Sequence, residues 1–228
     1  MNTIQQQALI NYLFGFVTPH KRELMHKALE NRTRHVTVVM EDVFQPHNIS
    51  AAIRSAEGFG VQDVHIIEQR HAFVPEVSIT RGSSNWVSLH HYHGQENNTK
   101  TCFEQLRKDG YTIVATSPHA KSYKISEFPL DKKIALVFGT EDVGISDYVL
   151  QNCDESVVIP MFGFTESFNI SVSVALCLYD VTTRLRASSL DWSLPEHEKL
   201  QIQLDWLRSS IRGSAILEQR FLESQAGL

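Results

Sequence analysis

Four hydrogen-bonding side chains, Thr165, Glu166, Ser167 and Asn169, crowd the short stretch between Ile159-Pro160 and a strongly apolar segment that runs to Asp180. Loops after strand C-termini hold ligands in α/β proteins, because the helix that follows offers unpaired N–H groups at its start. A loop that only joined two elements would not need so many polar side chains. Ser167 is placed to cap a helix from Asn169, which explains one hydroxyl and not the cluster.

Two other stretches share this strand–loop–helix setting. In Asn48-Ile49-Ser50-Ala51-Ala52-Ile53-Arg54, Arg54 lies about 9 Å along a helix axis from Asn48, at ~1.5 Å per residue. Helical side chains tilt toward the N-terminus, so a guanidinium at 54 can reach back toward Asn48. The alternative makes Asn48 a helix cap and Arg54 a solvated or salt-bridged side chain. The other stretch is Phe138-Gly139-Thr140-Glu141-Asp142-Val143-Gly144-Ile145-Ser146. It lacks the Gly-Lys-Ser/Thr of a phosphate loop, and no Gly-x-Gly-x-x-Gly occurs elsewhere in the chain. Its acidic pair would repel a polyphosphate and suits a ligand with a positive centre or a hydrogen-bonding purine. A tight connection capped by Ser146 is the alternative.

His90-His91-Tyr92-His93 invites a metal reading. Neighbours on a strand face opposite ways, so only His91 and His93 could share an ion, and no Cys or carboxylate cluster accompanies them. No metal is expected. Cys102, Cys153 and Cys177 are odd in number and widely spaced, as in a reduced, cytoplasmic chain.

Elements that position these groups follow from periodicity. Helices are expected over 4–16, 21–30, 48–59, 101–108, 146–152 and 169–186, with one or two more near Trp206 and Leu207. Apolar strands are expected over 35–40, 64–67, 87–92, 111–116, 134–138 and 155–159. This alternation predicts an α/β domain with a mostly parallel sheet and helices on both faces. It is assigned to residues 35–187, flanked by helical extensions over 1–34 and 188–228. Hydrophobic residues make up 42% and charged residues 21% of the 228, the composition of a globular protein. No apolar run is long enough to span a membrane. The net charge is −5, yet Lys21, Arg22, Lys27, Arg32 and Arg34 oppose only Glu23 and Glu30 near the N-terminus. That segment reads either as a solvated amphipathic helix or as a basic arm for phosphates.

Taken together, Asn48-x5-Arg54, Phe138-Gly139-x-Glu141-x-x-Gly144, and Ile159-Pro160-Met161 followed by Ser167-x-Asn169-x-Ser171-x-Ser173 resemble the three ordered motifs of the SpoU family of RNA 2′-O-ribose methyltransferases, within the SPOUT superfamily. The resemblance covers about residues 35–186. It implies a deep trefoil knot, S-adenosylmethionine as methyl donor and a homodimer. It also implies that Thr116, Gly139, Ile159 and Phe168 meet the donor, Phe168 standing where the family usually has leucine. Arg54 is implied as base or as clamp for the developing alkoxide, with Asn48 orienting it and Glu141 holding its far side. Ser167 and Asn169 would fix substrate and loop. Lys21, Arg22, Arg32 and Arg34 are the expected RNA contacts. Family members with short helical extensions at both ends point to a guanosine in the tRNA D-loop. The alternatives are ribosomal RNA, another tRNA position, or a non-catalytic RNA-binding dimer.

Overall fold

A computed structural model describes residues 1–70, 80, 82–118, 123–140 and 144–226. The chain divides into two compact units, one formed by residues 1–32 with 193–228 and the other by 33–192.

The first unit is helical. Helix α1 (Thr3–Phe14) opens on a capping box in which Asn2 and Gln5 bond reciprocally, which satisfies two otherwise unpaired backbone donors. Helix α2 (Pro19–Leu29) starts with Thr18 as cap and a proline in its first turn, where no N–H is missed. Two C-terminal helices, which we number α7 (Glu196–Ser210) and α8 (Ser214–Ala226), complete it. Leu9, Ile10 and Leu13 of α1 and Trp206 and Leu207 of α7 are buried in its core.

The second unit is built on a seven-stranded parallel sheet in the order β3-β2-β1-β6-β4-β7-β5. The strands are β1 (Val36–Glu41), β2 (Asp63–Ile67), β3 (Ser88–Tyr92), β4 (Tyr111–Thr116), β5 (Tyr123–Lys124), β6 (Lys133–Phe138) and β7 (Glu155–Val158). In β1, alternate residues serve opposite faces. Val36, Val38 and Met40 pack beneath α3 (Pro46–Gly58) and α6 (Ile170–Ala187), while Val39 joins α4 (Asn98–Lys108) and α5 (Asp147–Asn152) on the other side. A sheet covered on both faces needs apolar residues at nearly every position of its inner strands. That is why these strands read as continuous apolar runs, and each fully buried Val, Ile or Leu contributes roughly 1.5–3 kcal/mol.

Because all seven strands are parallel, β1, β6, β4 and β7 present their C-terminal ends side by side along one edge. Strand β6 inserts between the earlier β1 and β4, and β7 between β4 and β5. This order is compatible with the threaded path that the motif resemblance implies.

The expected strands all form, with ends displaced by a residue or two. The sequence reading missed β5, whose two residues are too few to show a period. It also began α3 at Asn48, whereas the helix starts at Pro46. Asn48 is therefore in the first turn and is not the cap. Nor does Ser167 cap α6: Asn169 does, its Oδ1 accepting from the Ser171 N–H at 2.9 Å.

A polar cluster closes the β2–β3 margin. Asp63 accepts from Arg34 Nε at 2.7 Å and from His90 Nε2 at 3.0 Å. Burial alone would raise the Asp63 pKa, but these two donors outweigh it and hold the carboxyl below its ordinary value. His65 lies against the His90 ring at a centroid distance of 4.6 Å, with its Nδ1 3.0 Å from the Tyr92 hydroxyl. Burial, assisted by His90, depresses its pKa to about 4. The folded protein thus keeps His65 neutral down to about pH 4, while the unfolded chain protonates it near its ordinary value of about 6.5. Stability from this group is complete above about pH 6.5 and is lost as pH falls toward 4, on the order of 3 kcal/mol in all. Denaturant unfolding across that window should show a shallower loss for His65→Gln than for the wild type. Equal slopes would mean that His65 does not titrate as described.

Candidate active site

The site is assembled from the ends of four neighbouring strands. Beyond β1 the chain turns through Asp42, whose φ of 51° is the left-handed value rarely taken by a residue with a side chain. Asp42 is held there by Arg70, which donates from its backbone N–H at 2.6 Å and from Nε at 2.5 Å. The turn delivers Asn48 into the interior at 1% exposure.

Asn48 meets Asn169 there. Asn169 Oδ1 is occupied by the backbone N–H and the hydroxyl of Ser171, at 2.9 and 2.6 Å. Its Nδ2 is thereby turned toward Asn48 Oδ1 and donates across 3.1 Å. One hydrogen bond joins the first and third sequence motifs and ties together the N-terminal ends of α3 and α6, which pack against each other.

Beside this junction a cavity of about 530 Å³ opens among the ends of β4, β6 and the loop before α6; its walls include Thr116, Gly139, Ile145, Ser167, Phe168 and Asn169. A smaller recess of about 60 Å³ adds Ile159 and Met161. All four residues expected to meet a methyl donor stand on these walls. Thr116 has its hydroxyl committed to the Val137 carbonyl at 2.8 Å. Gly139 is required on packing grounds, because a Cβ there would overlap the Gly144 carbonyl and the backbone beyond it. Gly144, at φ 70°, lets the loop return on itself so that Thr140 N and Gly144 O bond at 2.8 Å and Gly144 N and Thr140 O at 3.1 Å. The cavity offers apolar surface from Phe138, Ile145 and Leu150, bare backbone at Gly139 and a carboxylate at Glu166. A planar heterocycle attached to a cationic centre fits that combination.

Other expected site residues are placed differently. Arg54 lies exposed on α3 and forms no hydrogen bond or ion pair among the described residues. It makes no hydrogen bond with Asn48. Ser167 is exposed as well. Glu141 lies outside the described residues. Arg32 corrects an expectation: it is 2% exposed, with its guanidinium 5.3 Å from the Trp206 ring centroid, so it braces the helical unit and presents no cation to a phosphate. Arg34 is engaged with Asp63. Lys21 is half-buried and Arg22 is exposed, the latter lying over the Phe14 ring at 4.7 Å.

The histidines pair locally, His90 with Asp63 and His91 with Glu68 at 2.9 Å. Among the described residues, no group of three or more His, Cys, Asp or Glu is arranged to hold a metal ion. Cys102 and Cys177 are buried thiols whose pKa is pushed up by burial, to about 12 for Cys177, so neither is a ready nucleophile. Sequence reasoning passed over Glu41 and Asp42. An acidic pair ending an otherwise apolar internal strand was the available signal, since such a carboxylate needs donors waiting for it.

The fold and this site are those of an RNA methylase family: the signature of the SpoU rRNA Methylase family spans residues 35–179, and the chain belongs to that family. Relatives named tRNA (guanosine(18)-2′-O)-methyltransferase include one from Borreliella burgdorferi, 41% identical over 92% of this chain and 94% of its own length. The Escherichia coli K12 relative of that name is 30% identical over 82% of this chain and 81% of its own. Among solved structures, the A. aeolicus TrmH/SpoU tRNA modifying enzyme superposes with a TM-score of 0.74 at 27% identity, covering 85% of this chain and 98% of that one. The SpoU methyltransferase AviRb from Streptomyces viridochromogenes, solved with AdoMet, shares the fold at a TM-score of 0.61 and 23% identity, over 71% of this chain and 65% of that one.

Proposed function

We propose that the chain is an S-adenosylmethionine-dependent 2′-O-ribose methyltransferase whose substrate is a guanosine in the tRNA D-loop, the nucleotide that its relatives' names number 18. The observation that carries this reading is the Asn48–Asn169 hydrogen bond at the rim of the cavity. It joins the first and third motifs at the starts of α3 and α6, beside the cavity.

S-adenosylmethionine, when bound, supplies a methyl carbon made electrophilic by its sulfonium. Thr116, Gly139, Ile159 and Phe168 are the residues proposed to hold it, on walls whose backbone at Gly139 is open to close approach. Transfer requires the ribose 2′-oxygen to lie in line with the methyl group, so alignment supplies much of the rate. Asn169, fixed by Ser171 and Asn48, holds the loop in place, and the exposed Ser167 beside it is available to the ribose. The hydroxyl must lose its proton as the new bond forms. A guanidinium with a pKa above ~12 is a poor base but a strong, planar donor to an alkoxide and a neighbouring phosphate. Arg54, exposed on α3, is proposed for this role, with Glu141 steering it.

The RNA is proposed to reach Lys21 and Arg22 on α2. A homodimer is proposed through α6, where Val172, Leu176 and Tyr179 remain 39 to 62% exposed at helical spacing on one stripe. No helix among the described residues is long and apolar enough to cross a membrane, and a cytoplasmic location is proposed along with the tRNA substrate.

Three measurements test these statements. The full chain, given labelled S-adenosylmethionine and unmodified tRNA, should label one D-loop guanosine ribose, and Arg54→Lys should slow transfer by about 10². Binding of tRNA without any transfer would instead identify a non-catalytic RNA-binding dimer, and an undiminished Arg54→Lys would remove Arg54 from the chemistry. For the arm, a Lys21→Ala/Arg22→Ala variant should flatten the salt dependence of tRNA binding by about 1 to 2 in log–log slope; an unchanged slope excludes these contacts. In sedimentation equilibrium, Leu176→Asp should run as a monomer and the wild type as a dimer. Wild-type monomer at micromolar concentration would refute the interface.

A further inference from the structure

Glu41 ends β1 at 5% exposure and takes no part in the chemistry outlined above. Its Oε1 accepts from the Thr99 hydroxyl at 2.9 Å and the Ser146 hydroxyl at 2.8 Å, and its Oε2 accepts from the Ser146 N–H at 3.3 Å. Thr99 is in the first turn of α4 and Ser146 is the cap of α5. The carboxylate thus accepts all three bonds from residues at the starts of two helices and has no salt bridge among the described residues.

Ser146 leads directly to the cavity. Its hydroxyl donates to Glu41 while accepting from the Val149 N–H at 3.2 Å, so its orientation is fixed from both sides. The two residues before it, Gly144 and Ile145, and Leu150 in the helix after it, stand on the cavity wall. Gly144 in turn grips Thr140 through the paired backbone bonds, and Gly139 adjoins Thr140. A displacement at Ser146 is passed to Ile145 and Gly144 and, through the paired backbone bonds, to Thr140 and Gly139.

We propose that Glu41 is the positioning residue for the methyl-donor loop, acting through Ser146. The proposal rests on the reading of the cavity as the methyl-donor site. Glutamine at 41 is nearly the same size, but its amide nitrogen would have to face a donor in this cluster, so one of the three bonds is lost and the loop relaxes. The third partner supplies an internal control. Thr99 connects Glu41 to α4, away from the cavity, so removing its hydroxyl costs stability without releasing the loop.

The test is calorimetric titration of the full-length variants with S-adenosylmethionine, with tRNA binding followed in parallel. Glu41→Gln and Ser146→Ala are each expected to weaken methyl-donor binding about tenfold, with tRNA affinity held within about twofold. The double variant should bind no more weakly than the worse single one, because both break one linkage. In turnover, KM for the donor should rise while kcat at saturation is retained. Thr99→Val should lower the melting temperature yet bind the donor within about twofold of the wild type. Should Glu41→Gln not fold, Glu41→Asp keeps the charge and shortens the reach to Ser146, and it should move donor affinity the same way. The proposal is overturned if the Glu41 variants bind donor as the wild type does, or if Thr99→Val weakens binding equally. A wild-type protein that binds no donor would refute the reading of the cavity itself, a separate result.

Discussion

The Asn169 carboxamide is the contact on which the site depends. Its oxygen is occupied by Ser171 at the start of α6, so its nitrogen has one direction left and finds Asn48. Neither asparagine can turn its amide without losing a hydrogen bond, and on the Asn48 side that loss falls on a buried group. The consequence is geometric. Helices α3 and α6 pack on the same face of the sheet, and this bond fixes their N-terminal ends relative to each other at the edge where β1, β6 and β4 terminate. Any ligand entering there meets two helix starts whose separation is already set.

The parallel sheet makes that edge possible, and it was the most legible part of the sequence. Strands covered on both faces must be apolar nearly throughout, so 35–40, 111–116 and 134–138 stand out in the sequence, and the alternating helices follow from their spacing. Legibility declined where a residue's environment is built from distant segments. Arg32 is basic in a basic stretch and was assigned to RNA, yet Trp206, far along the chain, provides the ring against which it is buried. Nothing within the local sequence marks that partner. Serine is a good cap, yet Asn169 is the residue that immediately precedes the helix and accepts from its first turn. The three motifs were legible as motifs; that Asn48 would bond Asn169 rather than Arg54 was not, because it depends on the packing of α3 against α6.

Glu41 shows the opposite failure. A buried carboxylate is costly unless donors are preorganised around it, and its donors come from two helix starts, Thr99 and Ser146, that only the fold brings together. Read linearly, Glu41 is one more acid in a chain of net charge −5. Read in place, it anchors one wall of the cavity. Several other carboxylates are likewise engaged, Asp63 by Arg34 and His90, Asp42 by Arg70 and Glu218 by Arg208. Each such pair withdraws a cation along with an acid, so the net charge of −5 rests on the remaining side chains.

What separates site from scaffold is which polar groups are already committed. Asn48, Asn169, Thr116 and Ser146 have specific partners, and they fix positions. Ser167 and Glu166 are exposed on the cavity wall and Arg54 is exposed on α3, and none of the three makes a hydrogen bond or ion pair among the described residues. Rate acceleration comes only from interactions that strengthen between ground state and transition state. A donor already bonded in the free protein must break that bond before it can help, whereas an open guanidinium on a fixed helix gives up nothing but water. The division is what an alkylation of a weakly acidic hydroxyl requires: rigid walls to align oxygen and carbon, and an uncommitted cation to receive the negative charge as it develops. The Asn48–Asn169 bond fixes one side of the cavity, and Arg54, proposed for the second condition, stands uncommitted on α3.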